Sequence, residues 1–223
     1  KFGGGEPSDI MVDEILEQAS KLDFNRVIAV GGGTVIDIAK ILSLDEATDV
    51  DSLYDRDQLT RSRKLVILPT TCGTGSEITP SGIILQKGTG LKTIIPSSEL
   101  SSEMAVLIPE FIVGLPFRFF VYVSMDALSH AMESYLAKGA TSVFSRSAAS
   151  AAIELIVGNF VNIALNGPAY QKNCAKDAIF ASTLAGISMR NSSCGPVHAL
   201  AYPVGETYHM SHGEANYQFL TAV

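Results

Sequence analysis

Arg26-Val27-Ile28-Ala29-Val30 is a short β-branched run that stops at three consecutive glycines, Gly31-Gly32-Gly33, and a helical pattern, Thr34-Val35-Ile36-Asp37, starts directly after them. A continuous apolar run bounded in this way reads as a buried parallel strand. Thr34 at the cap with Asp37 three residues on resembles a capping box. Strand, glycine turn and helix together outline a phosphate site, because bare amides at a helix N-terminus attract anions and glycines let a pyrophosphate approach the backbone. The run is not the usual dinucleotide fingerprint, since Ile36 stands at the third glycine position, nor a P-loop, since no Gly-Lys-Ser/Thr follows. A tight strand-to-helix turn without a ligand has the same spelling.

A second strand is expected over Lys64 to Leu68, followed at once by Pro69-Thr70-Thr71-Cys72-Gly73-Thr74-Gly75-Ser76-Glu77. Hydroxyls and glycines after a strand suit a loop at the carboxyl edge of an open α/β sheet, where such sheets bind ligands, and a ligand-free polar turn is the alternative. Before these runs, Ser8 is placed to cap a helix carrying Ile10, Val12, Ile15, Leu16 and Ala19. The stretch from Leu44 to Arg63 is expected to be a polar surface connection. Ser81 to Leu85, Lys92 to Ile95 and Met104 to Leu107 read as shorter strands. Lys92 is a cation that could reach a phosphate, although an exposed lysine is the commoner case. After Pro116 the character changes: Ser124 to Lys138, Val143 to Leu165 and Cys174 to Arg190 are Ala/Ile/Leu-rich helical stretches, with a break at Asn166-Gly167-Pro168.

Within the helical part, Met125 to Leu136 places Asp126 and His130 four residues apart, on one face of a helix. An i,i+4 Asp/His pair is by itself more often a surface or capping pair. The neighbours Ala127, Leu128, Ala131, Met132 and Leu136 are apolar, however, and a buried Asp and His both need partners. His198 and His212 follow, fourteen apart in a segment interrupted by Pro203, Gly205 and Gly213. One carboxylate and three imidazoles form a hard-to-borderline set that suits a divalent transition metal. The chain has four histidines, and the one outside this set is His209.

The remaining totals narrow the function class. The chain has 223 residues, 47% of them hydrophobic and 17% charged, which supports a substantial core. A formal net charge of −7 argues against nucleic acid as a partner. No apolar run is expected to span a membrane, and Lys1 to Gly5 is not a signal peptide. Three cysteines at unrelated spacings, Cys72, Cys174 and Cys194, fit reduced thiols in a cytoplasmic protein. Cys194 and His198, four apart, leave a Cys/His nucleophile pair for acyl transfer open as a rival chemistry.

Four runs in this order resemble the iron-dependent (group III) alcohol dehydrogenase family: G-G-G-T-V-I-D-I-A-K (Gly31 to Lys40), P-T-T-C-G-T-G-S-E (Pro69 to Glu77), M-D-A-L-S-H-A-M-E-S-Y (Met125 to Tyr135) and G-P-V-H-A-L-A-Y-P-V-G with H-M-S-H-G-E-A-N-Y (Gly195 to Tyr217). A-V-L-I-P-E (Ala105 to Glu110) and L-P-F-R-F-F-V-Y (Leu115 to Tyr122) are most similar to its 4-hydroxybutyrate dehydrogenase branch. The resemblance implies an α/β N-terminal Rossmann-like nucleotide-binding part over 1–116 and an all-α metal-binding domain over 117–223, the dehydroquinate synthase-like architecture. It implies Asp126, His130, His198 and His212 as ligands of Fe(II) or Zn(II), acting catalytically through the metal. Gly32, Gly33 and Thr34 fall on the pyrophosphate loop, and Thr70, Thr71, Thr74, Thr79 and Lys92 on further contacts to NAD or NADP.

Tyr202 stands where many members carry a histidine thought to relay the substrate proton, so its hydroxyl or a water is expected to substitute. Ile108 replaces an aspartate common in the wider family. Members extend further at both ends, so the chain is expected to be incomplete there. The implied chemistry is reversible hydride transfer between a nicotinamide and a small alcohol or aldehyde, 4-hydroxybutyrate and succinic semialdehyde being the implied pair, in a homo-oligomer, a dimer. Arg118 and Arg190 are candidates for a substrate carboxylate by residue type alone. A zinc-dependent glycerol-dehydrogenase-like or dehydroquinate-synthase-like relative, or an inactive nucleotide-binding fragment, would share this layout.

Overall fold

The structure is a computed structural model that describes residues 6–45, 47–54, 59–138, 141–192, 194–208 and 210–223. His209 and residues 1–5 lie outside them. The chain divides into two compact units, one formed by residues 1–69 and 76–106 and the other by 70–75 and 107–223.

In the first unit, helix α1 (Asp9–Ala19) starts at Ser8, whose hydroxyl accepts from the Met11 N–H as expected for a cap. Strand β1 (Arg26–Gly31) leads into α2 (Gly33–Leu42), and β2 (Lys64–Pro69), β3 (Ser81–Gln86), β4 (Leu91–Pro96) and the short β5 (Met104–Ala105) follow. β1, β2 and β5 form a parallel sheet in that order, with Arg26 opposite Lys64 and Val66 opposite Met104. β3 and β4 make a separate antiparallel pair, Ser81 opposite Pro96.

Two expectations for β1 and α2 are corrected here. β1 is buried on one face only: Ala29 packs with Ile36 and Ala39 of α2 and with Leu65 and Ile67 of β2, whereas Ile28 and Val30 are exposed. The β-branched composition marked the strand but not which of its faces is covered. The cap of α2 is Gly32, with no side-chain hydrogen bond, and Thr34 already lies in the first turn. A glycine at the cap removes the side-chain oxygen that would otherwise occupy the first amides.

The stretch 44–63 is more than a surface connection. Leu44, Val50 and Leu53, the last in a 3₁₀ turn (Asp51–Tyr54), are buried in a core with Val12, Leu16, Ile38, Ile41, Ile84 and Ile95. Polar residues around them masked three anchoring positions.

A buried lysine ties this unit together. Lys40 is fully buried, and its Nζ donates to Ser76 Oγ at 2.8 Å, to the Ser81 carbonyl at 2.6 Å and to Thr79 Oγ1 and Asp37 Oδ1 at 3.3 Å. Asp37 also accepts from the Ser76 hydroxyl at 2.6 Å and the Ile83 N–H at 3.1 Å. Burial pushes the Lys40 pKa down, and the Asp37 charge opposes it. The network fastens α2 to the residues entering β3.

The second unit is helical: α3 (Glu110–Val113), α4 (Phe117–Leu136), α5 (Val143–Asn166), α6 (Ala175–Met189), α7 (Pro196–Tyr208) and α8 (His212–Leu220). α4 starts seven residues before the expected Ser124, because Pro116 sets its entry and the aromatic run behind it continues the helix. Ala127 and Ala131 of α4, Ala149 and Ala152 of α5, and Ala181 and Ala185 of α6 share one core and are fully buried, so small side chains let these three helices approach closely. α5 starts in a capping box between Ser142 and Ser145 and ends at Gly167, φ 86°.

Contrary to expectation, α5 is long and apolar enough to cross a membrane by length and composition, with a hydropathy of 1.6. Its inner face, Ala149, Ala152, Ile156 and Ile163, is buried in the helical cores, while Val157, Val161 and Leu165 are exposed.

Breaking the buried Lys40–Asp37 pair strands a charge, at about 3–5 kcal/mol. Lys40→Ala is expected to lose that much stability in chemical denaturation, and Lys40→Met with Asp37→Leu to lose less.

Candidate metal centre

Asp126, His130 and Glu133 occupy positions i, i+4 and i+7 of α4 and therefore share one face. His198 lies in the first turn of α7, and His212 is the first residue of α8, with Asn216 one turn on. His212 was expected on a glycine-flanked loop; Ser211 at the cap instead starts a helix, and α7 runs through Pro203 and Gly205. Gly213 is required by close approach, since a Cβ there would collide with the Tyr122 carbonyl oxygen of α4. The first turn of α8 thereby lies directly on α4, and His212 reaches Asp126.

The four predicted ligand residues come together. Asp126 Oδ1 stands 4.0 Å from His130 Nε2, 3.8 Å from His198 Nε2 and 3.5 Å from His212 Nε2. One donor atom from each residue lies within 4.8 Å of all the others. Tetrahedral bonds of about 2.1 Å put ligand atoms about 3.4 Å apart, so the set fits one divalent ion after only a slight contraction. Asp126, His130 and His198 are buried, and the His212 side chain is 22% exposed.

Two residues that sequence patterns did not single out complete the cluster. Glu133 Oε2 contacts His198 Nδ1 at 2.5 Å, and its other oxygen accepts the Val197 N–H at 2.6 Å. Asn216 Nδ2 donates to Asp126 Oδ1 at 2.7 Å and lies 3.2 and 3.3 Å from the Nε2 atoms of His198 and His212. The continuation of the helix face to i+7 was a readable signal for Glu133, as was the i+4 spacing from His212 for Asn216.

The electrostatics suit a cation. Burial would raise the Asp126 pKa, but the imidazoles of His130, His212 and His198 hold it far below the usual carboxylate range. Burial pushes His130 down to about 4 against the pull of Asp126, which keeps that ring neutral and able to coordinate at neutral pH. His130 stacks on His198 with ring centroids 4.5 Å apart, and its buried Nδ1 lacks a hydrogen bond of normal geometry, although the Gly73 carbonyl favours the protonated ring. Burial lowers His198 too, but hydrogen bonding and charge from Asp126 and Glu133 prevail and lift it to about 9. Glu133 is held below its usual value: burial opposes, and His198 with the Gly195 and Val197 amides outweighs it.

The other predicted residues have different surroundings. The Tyr202 ring stacks on His212 at 5.5 Å and meets His198 edge-on at 6.4 Å. Gly32, Gly33 and Thr34 form the cap and first turn of α2. Thr70, Thr71 and Thr74 are half-buried in the segment 70–75, which belongs to the helical unit, whereas Thr79 is buried against Lys40 in the other. Lys92 pairs with Glu6 at 3.1 Å. Arg118 is exposed and engaged with Glu214 and the Tyr122 hydroxyl, a surface ion pair rather than a carboxylate-binding pocket. Cys194 retains exposed surface, but burial around its thiol and the carboxylates of Glu133 and Asp126 push its pKa up to about 12. A thiol so rarely ionised is a poor nucleophile, which counts against acyl transfer.

A buried carboxylate with three imidazoles converging on it places the chain in the class of proteins with a site suited to a single metal ion. Family models give the class a name: one described as iron-containing alcohol dehydrogenase matches residues 2–109, and one for the C-terminal part of the Fe-containing alcohol dehydrogenase family matches 120–223. The chain belongs to the iron-containing alcohol dehydrogenase family. It is 45% identical over 227 residues to 4-hydroxybutyrate dehydrogenase of Clostridium kluyveri, covering 100% of this chain and 60% of that protein. Its fold matches the crystal structure of an iron-containing alcohol dehydrogenase with a TM-score of 0.87 and 29% identity, over 97% of this chain and 59% of that one. It also matches sulfoacetaldehyde reductase from Bifidobacterium kashiwanohense in complex with NAD+, with a TM-score of 0.86 and 25% identity, over 97% and 58%. The chain thus spans about three-fifths of the length of these relatives.

Removing one of four donors strips most of the affinity from such a site. Wild-type chain is expected to gain thermal stability on addition of a divalent transition ion, because the ion binds only the folded state. His198→Ala is expected to show no such gain and to carry no metal after desalting.

Proposed function

We propose that the protein to which this chain belongs is a metal-dependent, NAD(P)-linked alcohol dehydrogenase, acting on 4-hydroxybutyrate and succinic semialdehyde. The observation that carries this reading is the convergence of Asp126, His130, His198 and His212 within 4.8 Å. The 45% identity to a 4-hydroxybutyrate dehydrogenase supports the substrate pair, and the NAD+ complex of a structural relative supports the nicotinamide.

The residues divide the work. Asp126 contributes the negative charge and the three imidazoles neutral donors, so the set holds a divalent cation without cancelling its charge. Asp126, His130, His198 and His212 would hold Fe(II), which would supply Lewis acidity toward an alcohol oxygen, and a bound nicotinamide would supply the hydride acceptor. Tyr202, whose ring stacks on His212, or a water takes the place of the histidine expected for proton transfer. The α2 N-terminus, capped by Gly32 without a side-chain hydrogen bond, offers its first amides to the cofactor pyrophosphate.

Purified anaerobically and supplied with Fe(II), the protein is expected to reduce succinic semialdehyde with NADH or NADPH, followed as loss of absorbance of the reduced nicotinamide. Chelation should abolish the rate and Fe(II) restore it. Protein that binds iron and nicotinamide yet reduces neither succinic semialdehyde nor any short aldehyde would contradict the reading.

A further inference from the structure

Histidine can coordinate through either ring nitrogen, and the partner of the other nitrogen decides which one is used. In His198 the two nitrogens face different chemistry. Nε2 points toward Asp126 Oδ1, 3.8 Å away, while Nδ1 meets Glu133 Oε2 at 2.5 Å. A carboxylate only accepts, so the Nδ1 contact requires a proton on Nδ1 and directs the lone pair of Nε2 toward the other donors.

Glu133 is itself fixed. Its second oxygen accepts the Val197 N–H, one residue before His198, so a single carboxylate holds both the backbone and the ring of the first turn of α7. The space beside it is filled by backbone: a Cβ on Gly195 would stand 2.8 Å from Glu133 Oε1. Glu133 also shares its face of α4 with Asp126 and His130, so the same rigid helix that supplies two ligands aligns the third.

We propose that Glu133 is a positioning residue of the metal centre, setting the tautomer and orientation of His198 so that Nε2 faces the ion. The inference rests on the metal site of the proposed function and adds a residue outside the four donors. Glu133, Cys194 and His198 also form a second group whose donor atoms lie within 4.8 Å of one another. In that group the ion would have to displace the Glu133–Nδ1 hydrogen bond, so Cys194 is assigned no part in binding.

The test uses the whole chain and Co(II) as the probe, with affinity from competition against a chromogenic chelator and geometry from the visible spectrum of bound cobalt. Glu133→Ala is expected to weaken Co(II) binding by about 10–100-fold and to alter the cobalt bands. Glu133→Gln should fall between it and wild type, because a carboxamide has one acceptor oxygen for the two N–H groups that Glu133 satisfies. Cys194→Ser should bind as wild type does. Should Glu133→Ala fail to fold, Glu133→Gln decides the matter. Lower thermal midpoints with wild-type affinity and an unchanged cobalt spectrum would reduce Glu133 to a packing role and overturn the proposal. Loss of cobalt in Cys194→Ser would place the ion on the other side of His198 and overturn it as well. Wild-type chain that takes up no cobalt would remove the metal site itself, whereas wild-type binding matched by both Glu133 variants would remove only the positioning role.

Discussion

The helical unit is arranged around a carboxylate that solvent does not reach. Asp126 is 3% exposed, and a charge in that position is tolerated only with close partners. It receives them from three helices: His130 on its own helix, His198 from α7, and His212 with Asn216 from α8. The alanines that bring α4, α5 and α6 together make α4 a rigid support, and Gly213 lets α8 come down onto it. Cationic character at the centre is therefore a requirement of the packing as well as of the chemistry.

That requirement also explains how the imidazoles differ. His130, stacked on His198 and buried, is driven toward its neutral form, while His198 lies between two carboxylates and is driven toward its charged form. An incoming divalent ion replaces positive charge already favoured at that point. The four side chains do not need to be gathered from distant positions, because Asn216 Nδ2, bonded to Asp126, already lies within 3.3 Å of the Nε2 atoms of His198 and His212.

Much of this was legible in the residue order, and the rest was hidden for identifiable reasons. The i,i+4 spacing of Asp126 and His130 is a local property of one helix, so sequence reading reached it directly. Ser8 as a cap and β2 after Arg63 were local in the same sense. Glu133 was passed over because a glutamate on a helix is ordinarily solvated, and only tertiary contact with α7 reveals its bond to His198. Lys40 ended a familiar run, but its four oxygen partners come from Asp37 and from residues 76–81, a set that no periodicity links. Thr79 illustrates the converse. The family resemblance placed it among the cofactor contacts, and in the structure its hydroxyl belongs to the buried lysine network, a set of contacts that residue order does not show.

X-ray absorption at the iron edge of the Fe(II)-loaded chain addresses the central claim most directly. Four-ligand binding at Asp126, His130, His198 and His212 predicts a shell of nitrogen and oxygen at about 2.0–2.2 Å, with outer-shell scattering from three imidazoles that drops to two in His212→Ala. A sulfur shell near 2.3 Å, or scattering from a single imidazole, would show that the ion sits elsewhere and that the convergence on Asp126 is structural only.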